Sequence, residues 1–175
     1  MRRVPQTGLW ARRTARLGNK HWMPDGQVSE LRVAGQARRQ AAALPTVGDG
    51  AALRVVLITS RETRRWVVPK GWIEPNEAPH RSAAREAFEE AGLAGEADPT
   101  PLGAYAYAKR MPRGVVLPTE VVVFRLRVAR LMRDWPERRE RERRLFTPDA
   151  AAALVAEPGL AALLRALSRA RTRPA

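Results

Sequence analysis

The chain has 175 residues, 45% of them hydrophobic, which suits one globular domain with short extensions and leaves no room for a second full domain. No apolar run approaches the roughly 20 residues of a membrane-spanning helix; with no cysteine, a disulfide framework and thiolate metal ligands are excluded and a cytoplasmic address is expected. A formal net charge of +14, carried mostly by arginine, whose planar fork grips phosphate oxygens in pairs, predicts attraction to nucleic acid, anionic membranes or polyphosphorylated metabolites, and compositional bias accounts for part of it.

Residues 1–36 show no clear hydrophobic period and no acidic residue before Asp25, with Arg2, Arg3, Arg12, Arg13 and Arg16 clustered early. They read as a basic arm, flexible or loosely docked. The composition resembles that of an organelle transit peptide, and the apolar core of a secretory signal is missing. A folded domain is expected over 37–170, followed by a short tail, 171–175.

From Leu53 the text LRVVLITS is β-branched and short, as in a buried strand; a turn follows, then a second strand at Trp66 to Val68. A helix is expected at about 79–91. The alternating LGAYAYAK at 102–109 and the β-forming EVVVFRLRV at 120–128 add two more strands. Thr147, Pro148 and Asp149 supply an N-cap, an N1 proline and an acidic first turn for a helix that Glu157-Pro158-Gly159 interrupts. Leu160, Leu163, Leu164 and Leu167 then recur at helical spacing and lay an apolar stripe on the core.

The chemistry is concentrated in GWIEPNEAPHRSAAREAFEEAGL, Gly71 to Leu93. On a helix, Glu86, Glu89 and Glu90 share one face, while Ala84, Ala87, Phe88 and Ala91 share the opposite one. Carboxylates at that spacing repel by roughly 0.2 to 0.5 kcal/mol per pair, a cost that a hard divalent cation removes. Mg²⁺, with Mn²⁺ as a substitute, suits such oxygen ligands and shares its coordination with water and substrate phosphates. Gly71 can offer its carbonyl oxygen with no side chain in the way, and Gly92 suits the helix C-terminus. The plain alternative is a solvated acidic face neutralised by arginines. The histidines add little: His80 falls at the start of this helix and His21 in the arm.

The segment carries a glycine, five residues, a glutamate, seven residues, then Arg-Glu-apolar-any-Glu-Glu-any-Gly-apolar. This pattern, met at Gly71, Glu77, Arg85, Glu86, Glu89, Glu90 and Gly92, resembles the box of the Nudix hydrolases. The resemblance implies an α/β/α sandwich with a mixed sheet and a hydrolase that cleaves a diphosphate linkage. SRETRRWVVPKGW before the box and DWPERRERERRLFTPDAAAALV after it are similar to the subgroup of diphosphoinositol polyphosphate phosphohydrolases, which also cleave dinucleoside polyphosphates. It extends over about Arg38 to Leu167 and is strongest at Ser60 to Leu93.

The resemblance implies that Glu86 and Glu90, with Gly71, hold the metal, that Glu89 or Glu86 assists water, and that Glu77 and Arg85 brace the loop against the helix. It places phosphate-binding positions at Arg38, Arg39, Ser60, Arg61, Lys109 and Arg110, with Arg143 as a further one. Where the subgroup has a glycine-rich segment, this chain has Pro69-Lys70-Gly71-Trp72; Lys70 can bind phosphate, and Trp72 can stack on a base or pack. Glu120, at a strand start, is an extra base or ligand, or a solvated strand end. The alternatives are an RNA 5′-end pyrophosphohydrolase and a nucleic-acid-binding module on the same fold, with membrane tethering by the arm ranked last.

Overall fold

The computed structural model describes residues 20–22, 28–30, 38–111 and 114–172, and the chain divides into two units, Met1–Gln36 and Ala37–Ala175. In the first, β1 (Lys20–Trp22) and β2 (Val28–Glu30) pair antiparallel, Lys20 opposite Glu30. No period in the sequence announces that ladder. The arginine cluster between Arg2 and Arg16 lies outside the described residues.

The second unit is a mixed sheet between helices. β3 (Arg38–Val47) runs parallel to β8 (Val116–Leu131) and antiparallel to β4 (Arg54–Thr59) and β6 (Lys70–Trp72). β4 also pairs with β5 (Trp66–Val67) and β9 (Arg143–Phe146), and β8 forms a long antiparallel hairpin with β7 (Leu93–Arg110). Helix α1 (Pro79–Ala91) covers one face; α2 (Pro148–Leu154) and α3 (Pro158–Thr172) cover the other. The architecture is the expected α/β/α sandwich. No helix among the described residues is long and apolar enough to cross a membrane.

Alternation along β3 and β4 builds both cores at once. Ala42, Leu44, Val55 and Leu57 face α2 and α3, while Ala41, Ala43, Val56 and Ile58 face α1. All eight are fully buried, and each of the larger ones contributes roughly 1.5 to 3 kcal/mol by leaving water. β7 begins well before the predicted strand at 102, and register shifts at Ala94/Gly95, Ala97/Pro101 and Pro101/Gly103 absorb its prolines.

Helix α1 occupies its predicted span but is turned from its predicted facing. Spacing assigns Phe88 to the packed side and Glu90 to the open one; in the structure Phe88 is 42% exposed and Glu90 is buried. The stripe that meets the sheet is Ala83, Ala87 and Ala91, whose small side chains allow close approach, and Phe88 is too bulky for that gap. The helix ends at Gly92 in the left-handed conformation, φ 61°, which glycine adopts without a Cβ penalty.

Candidate active site

Strand β6 presents its residues to opposite faces. Lys70 and Trp72 pair with Ala42 and Gln40 and point to the α2/α3 side, whereas Gly71 pairs with Ala41 and faces α1. A Cβ on Gly71 would overlap the Glu86 carboxylate, so the glycine lets that side chain lie flat against the strand. One turn later, Glu90 Oε2 accepts a hydrogen bond from Lys70 N at 3.0 Å. Strand β6 and helix α1 are thereby registered on one another through the two carboxylates at i and i+4.

The third carboxylate stands apart. Glu89 is more exposed, and its Oε2 lies 3.2 Å from Arg85 Nη1, which also donates to Glu86 Oε1 at 2.8 Å. Glu77 faces the same arginine, 3.5 Å from its Nε, and accepts from Ser82 Oγ at 2.6 Å. Glu90 Oε1 accepts from Arg141 Nη2. Among the described residues no three acidic or histidine side chains converge as a finished metal cage, so the gathered three-carboxylate face expected from spacing is instead divided among arginines.

Burial pushes the Glu86 carboxyl up from its ordinary 4.5; Glu90 adds to that and Arg85 opposes it. Burial likewise raises Glu90, against Arg141 and Lys70. Both charged forms are therefore disfavoured where they stand, and a cation beside them relieves that cost. Two hard oxygen donors on one helix face, lying beside the bare backbone of Gly71, fit a divalent cation of the Mg²⁺ type.

On the α2/α3 face a cationic group borders the same strand. Lys109 Nζ sits 4.3 Å from the centre of the Trp72 ring, and the Arg38 guanidinium 5.7 Å from it. Burial lowers the Lys70 and Lys109 ammonium groups, and Lys70 further lowers Lys109. Lys109 in turn feels Glu90, Glu86 and Arg61. Lys70, Lys109 and Arg61 thus all feel the Glu90 charge, and Arg38 joins Lys109 at the Trp72 ring. Arg61, with 59% of its side chain exposed, lies 3.3 Å from Glu140 and 3.7 Å from Glu137.

Other expected phosphate contacts have different employment. Ser60 Oγ is spent on its turn, 2.8 Å from Thr63 Oγ1 and accepting from Arg65 N at 3.1 Å. Arg39 pairs with Glu120 at 2.9 Å, which engages both that arginine and the carboxylate considered as a spare base. Arg110 follows Lys109 along β7 and so points to the opposite face. Arg143 donates to Ala91 O at 2.6 Å, Gly92 O at 3.2 Å and Met132 O at 3.0 Å. It caps the end of α1, and the orphan carbonyls there explain its position.

Two features carry no sequence signal. Arg141 is one of several arginines in an alternating charged run, and only the fold shows that its side chain is 6% exposed and bound to Glu90. Tyr107 Oη, which donates to Gln40 Oε1 at 2.8 Å, bridges strands far apart in sequence.

Comparison with known proteins follows the same lines. A family profile described as NUDIX domain matches residues 36–167. Nudix hydrolase 12, mitochondrial, of Arabidopsis thaliana is 35% identical over 98 residues, 54% of this chain and 48% of that protein. Diphosphoinositol polyphosphate phosphohydrolase 2 of Rattus norvegicus is 34% identical over 83 residues, 47% of this chain and 42% of that one. The chain therefore spans about half or less of the length of these relatives. In fold, it is similar to a NUDIX hydrolase from Nitrosomonas europaea (TM-score 0.61, 18% identity, 79% of this chain and 93% of the other). It is also similar to the Ap4A hydrolase of C. elegans (TM-score 0.55, 15% identity, 76% and 97%).

Proposed function

The chain belongs to the NUDIX domain family, and from that premise we propose that it is a hydrolase that cleaves a phosphoanhydride bond, with a divalent cation held by Glu86, Glu90 and the Gly71 carbonyl. The observation that carries this reading is the fit of Gly71 to Glu86: a strand position where any side chain would displace a carboxylate. When bound, Mg²⁺, or Mn²⁺ in its place, supplies Lewis-acid polarisation of the phosphoryl oxygens and lowers the pKa of attacking water.

In this reading Glu89, the more exposed of the helix carboxylates, takes the proton from water, with Glu86 as the alternative. Glu77 and Ser82 steady Arg85, which holds Glu86 and Glu89 in orientation. Lys70, Lys109, Arg38 and Arg61 bind substrate phosphates. Because the Trp72 ring already carries Lys109, it serves to place a cation more than to stack a base. That arrangement favours a compact polyphosphate: a diphosphoinositol polyphosphate first, a dinucleoside polyphosphate second. The names of the rat relative and the C. elegans structure support the same substrate classes.

Chromatographic identification of the products formed with Mg²⁺ from inositol pyrophosphates, dinucleoside polyphosphates, nucleotide sugars and 5′-triphosphorylated RNA tests the reading. Hydrolysis of the polyphosphates is expected to exceed that of the nucleotide sugars; preference for the RNA end would overturn the substrate assignment. Glu90→Gln is a poor probe because it removes one of the two carboxylates that hold the buried Arg141 and so disturbs packing and metal binding together. Glu86→Gln avoids this and is expected to lower turnover on the order of a hundredfold with the fold retained. Unchanged turnover at saturating Mg²⁺ would refute the metal assignment.

A further inference from the structure

Glu90 is the most contested group in the site. Its side chain is 11% exposed, and both carboxylate oxygens are engaged: Oε2 by Lys70 N at 3.0 Å and Oε1 by Arg141 Nη2. Arg141 comes from the segment after β8, far from the helix in sequence. It is itself buried and held at two further points, Glu137 Oε2 at 2.5 Å and Thr59 O at 3.2 Å. A guanidinium does not lose its proton in proteins, so this positive charge persists at every working pH.

We propose that Arg141 competes with the divalent cation for Glu90 and that Glu137 sets the balance, making Arg141 a positioning residue that tunes metal affinity. The proposal rests on the reading that Glu86 and Glu90 hold the cation. A guanidinium within hydrogen-bonding distance of a metal-binding carboxylate both occupies lone pairs and repels the incoming charge. In a poorly solvated place neither effect is screened away. Arg141 has somewhere to go: Glu137, four residues earlier on the same segment, already shares the guanidinium and can take more of it when Glu90 turns to the cation. Glu137 also lies 3.7 Å from Arg61. The chain Glu90, Arg141, Glu137, Arg61 therefore joins the metal-binding carboxylate to a cation placed for substrate phosphate.

Two substitutions separate competition from simple structural support because they act in opposite directions. Arg141→Met removes the competitor and is expected to tighten Mn²⁺ binding about tenfold, as when a binding-competent state held at a minor fraction becomes the major one. Glu137→Gln removes the alternative partner, confines Arg141 to Glu90 and is expected to weaken Mn²⁺ binding. Arg141→Lys keeps a cation and should stay near the wild type. The readouts are the Mn²⁺ dissociation constant by calorimetry on the full chain and the rise in Tm on adding Mn²⁺ to chelator-treated protein, both at about pH 8, well above the ordinary carboxylate range. The Tm rise is expected to be larger for Arg141→Met than for the wild type. If Arg141→Met does not fold, Glu137→Gln decides alone, since Glu137 is on the surface side of the network. Shifts of both variants in the same direction, or no shift in either, would overturn the proposal while leaving the metal site in place. Failure of the wild-type protein to bind Mn²⁺ would overturn both together.

Discussion

Tyr105 and Tyr107 are the chain's two tyrosines; Tyr105 is buried in the core cluster on the α2/α3 side of the sheet and Tyr107 packs against it. Burial first, then the Glu157 and Glu90 carboxylates, push the Tyr107 phenol from 10.0 up to about 12; burial and Glu157 push Tyr105 up as well. Each folded value lies above the unfolded one, so the stability that the neutral phenols contribute is complete below pH 10 and is lost as pH climbs toward 12. At about pH 10.5 the folded protein should show almost no phenolate absorbance, whereas the urea-unfolded chain, with ordinary phenols, should show more than half. Phenolate at that pH in a still-folded sample would contradict the burial of these two side chains. Gly71 gives a second test at this scale. Its missing Cβ makes room for the end of the Glu86 side chain, which can swing away, so Gly71→Ala is expected to lower turnover by about tenfold or more while shifting Tm by only a few degrees, roughly the effect of 1 kcal/mol. Gly71 is legible in the sequence because its chemistry needs a fixed spacing to Glu86. Arg141 is not, because nothing in an alternating run of arginine and glutamate says which guanidinium will reach Glu90 on a helix fifty residues earlier.

Helix α1 shows what periodicity reveals and where it stops. Its span and its glycine end can be read from the sequence; its rotation cannot, since spacing allows either Phe88 or Ala83 to complete the packed stripe and only the distance to β3 selects the alanine. β3 itself was hidden for a related reason. QAAALPTV lacks the β-branched run that marks β4 and β8, yet small residues are what a strand buried between two helical layers accepts. The end of α1 is secured from outside the box. Trp135 packs against Gly92, and Arg143 donates to the carbonyls of Ala91, Gly92 and Met132 while lying 4.3 Å over the Trp135 ring. Arg143→Ala should therefore cost roughly 2 to 3 kcal/mol in urea unfolding, the range for charged hydrogen bonds left without a donor. Its KM values for many-phosphate and two-phosphate substrates should change by the same factor. A selective rise for the many-phosphate substrate would instead return Arg143 to the phosphate-binding set.

At the scale of the whole chain the positive charge is unevenly distributed. Residues 1–36 hold seven of the 32 basic residues and two of the 18 acidic ones, so +9 of the net +14 stays on 37–175. The cations Lys70, Lys109, Arg38 and Arg61 all belong to that second unit, as do both hydrophobic clusters and the box. Ionic attraction of a polyphosphate should then be a property of the second unit, screened by salt over roughly 8 to 10 Å at ordinary ionic strength. We expect a chain lacking residues 1–34 to keep a cooperative melting transition and the turnover of a small polyphosphate. Raising salt from roughly 0.05 to 0.5 M should increase KM by the same factor in the truncated and full-length proteins, because the charges that attract substrate are the ones retained. Steady-state kinetics on both proteins at the two salt levels measures this. Loss of the salt effect on truncation would assign substrate attraction to the arm, and loss of the melting transition would make the arm part of the folded unit.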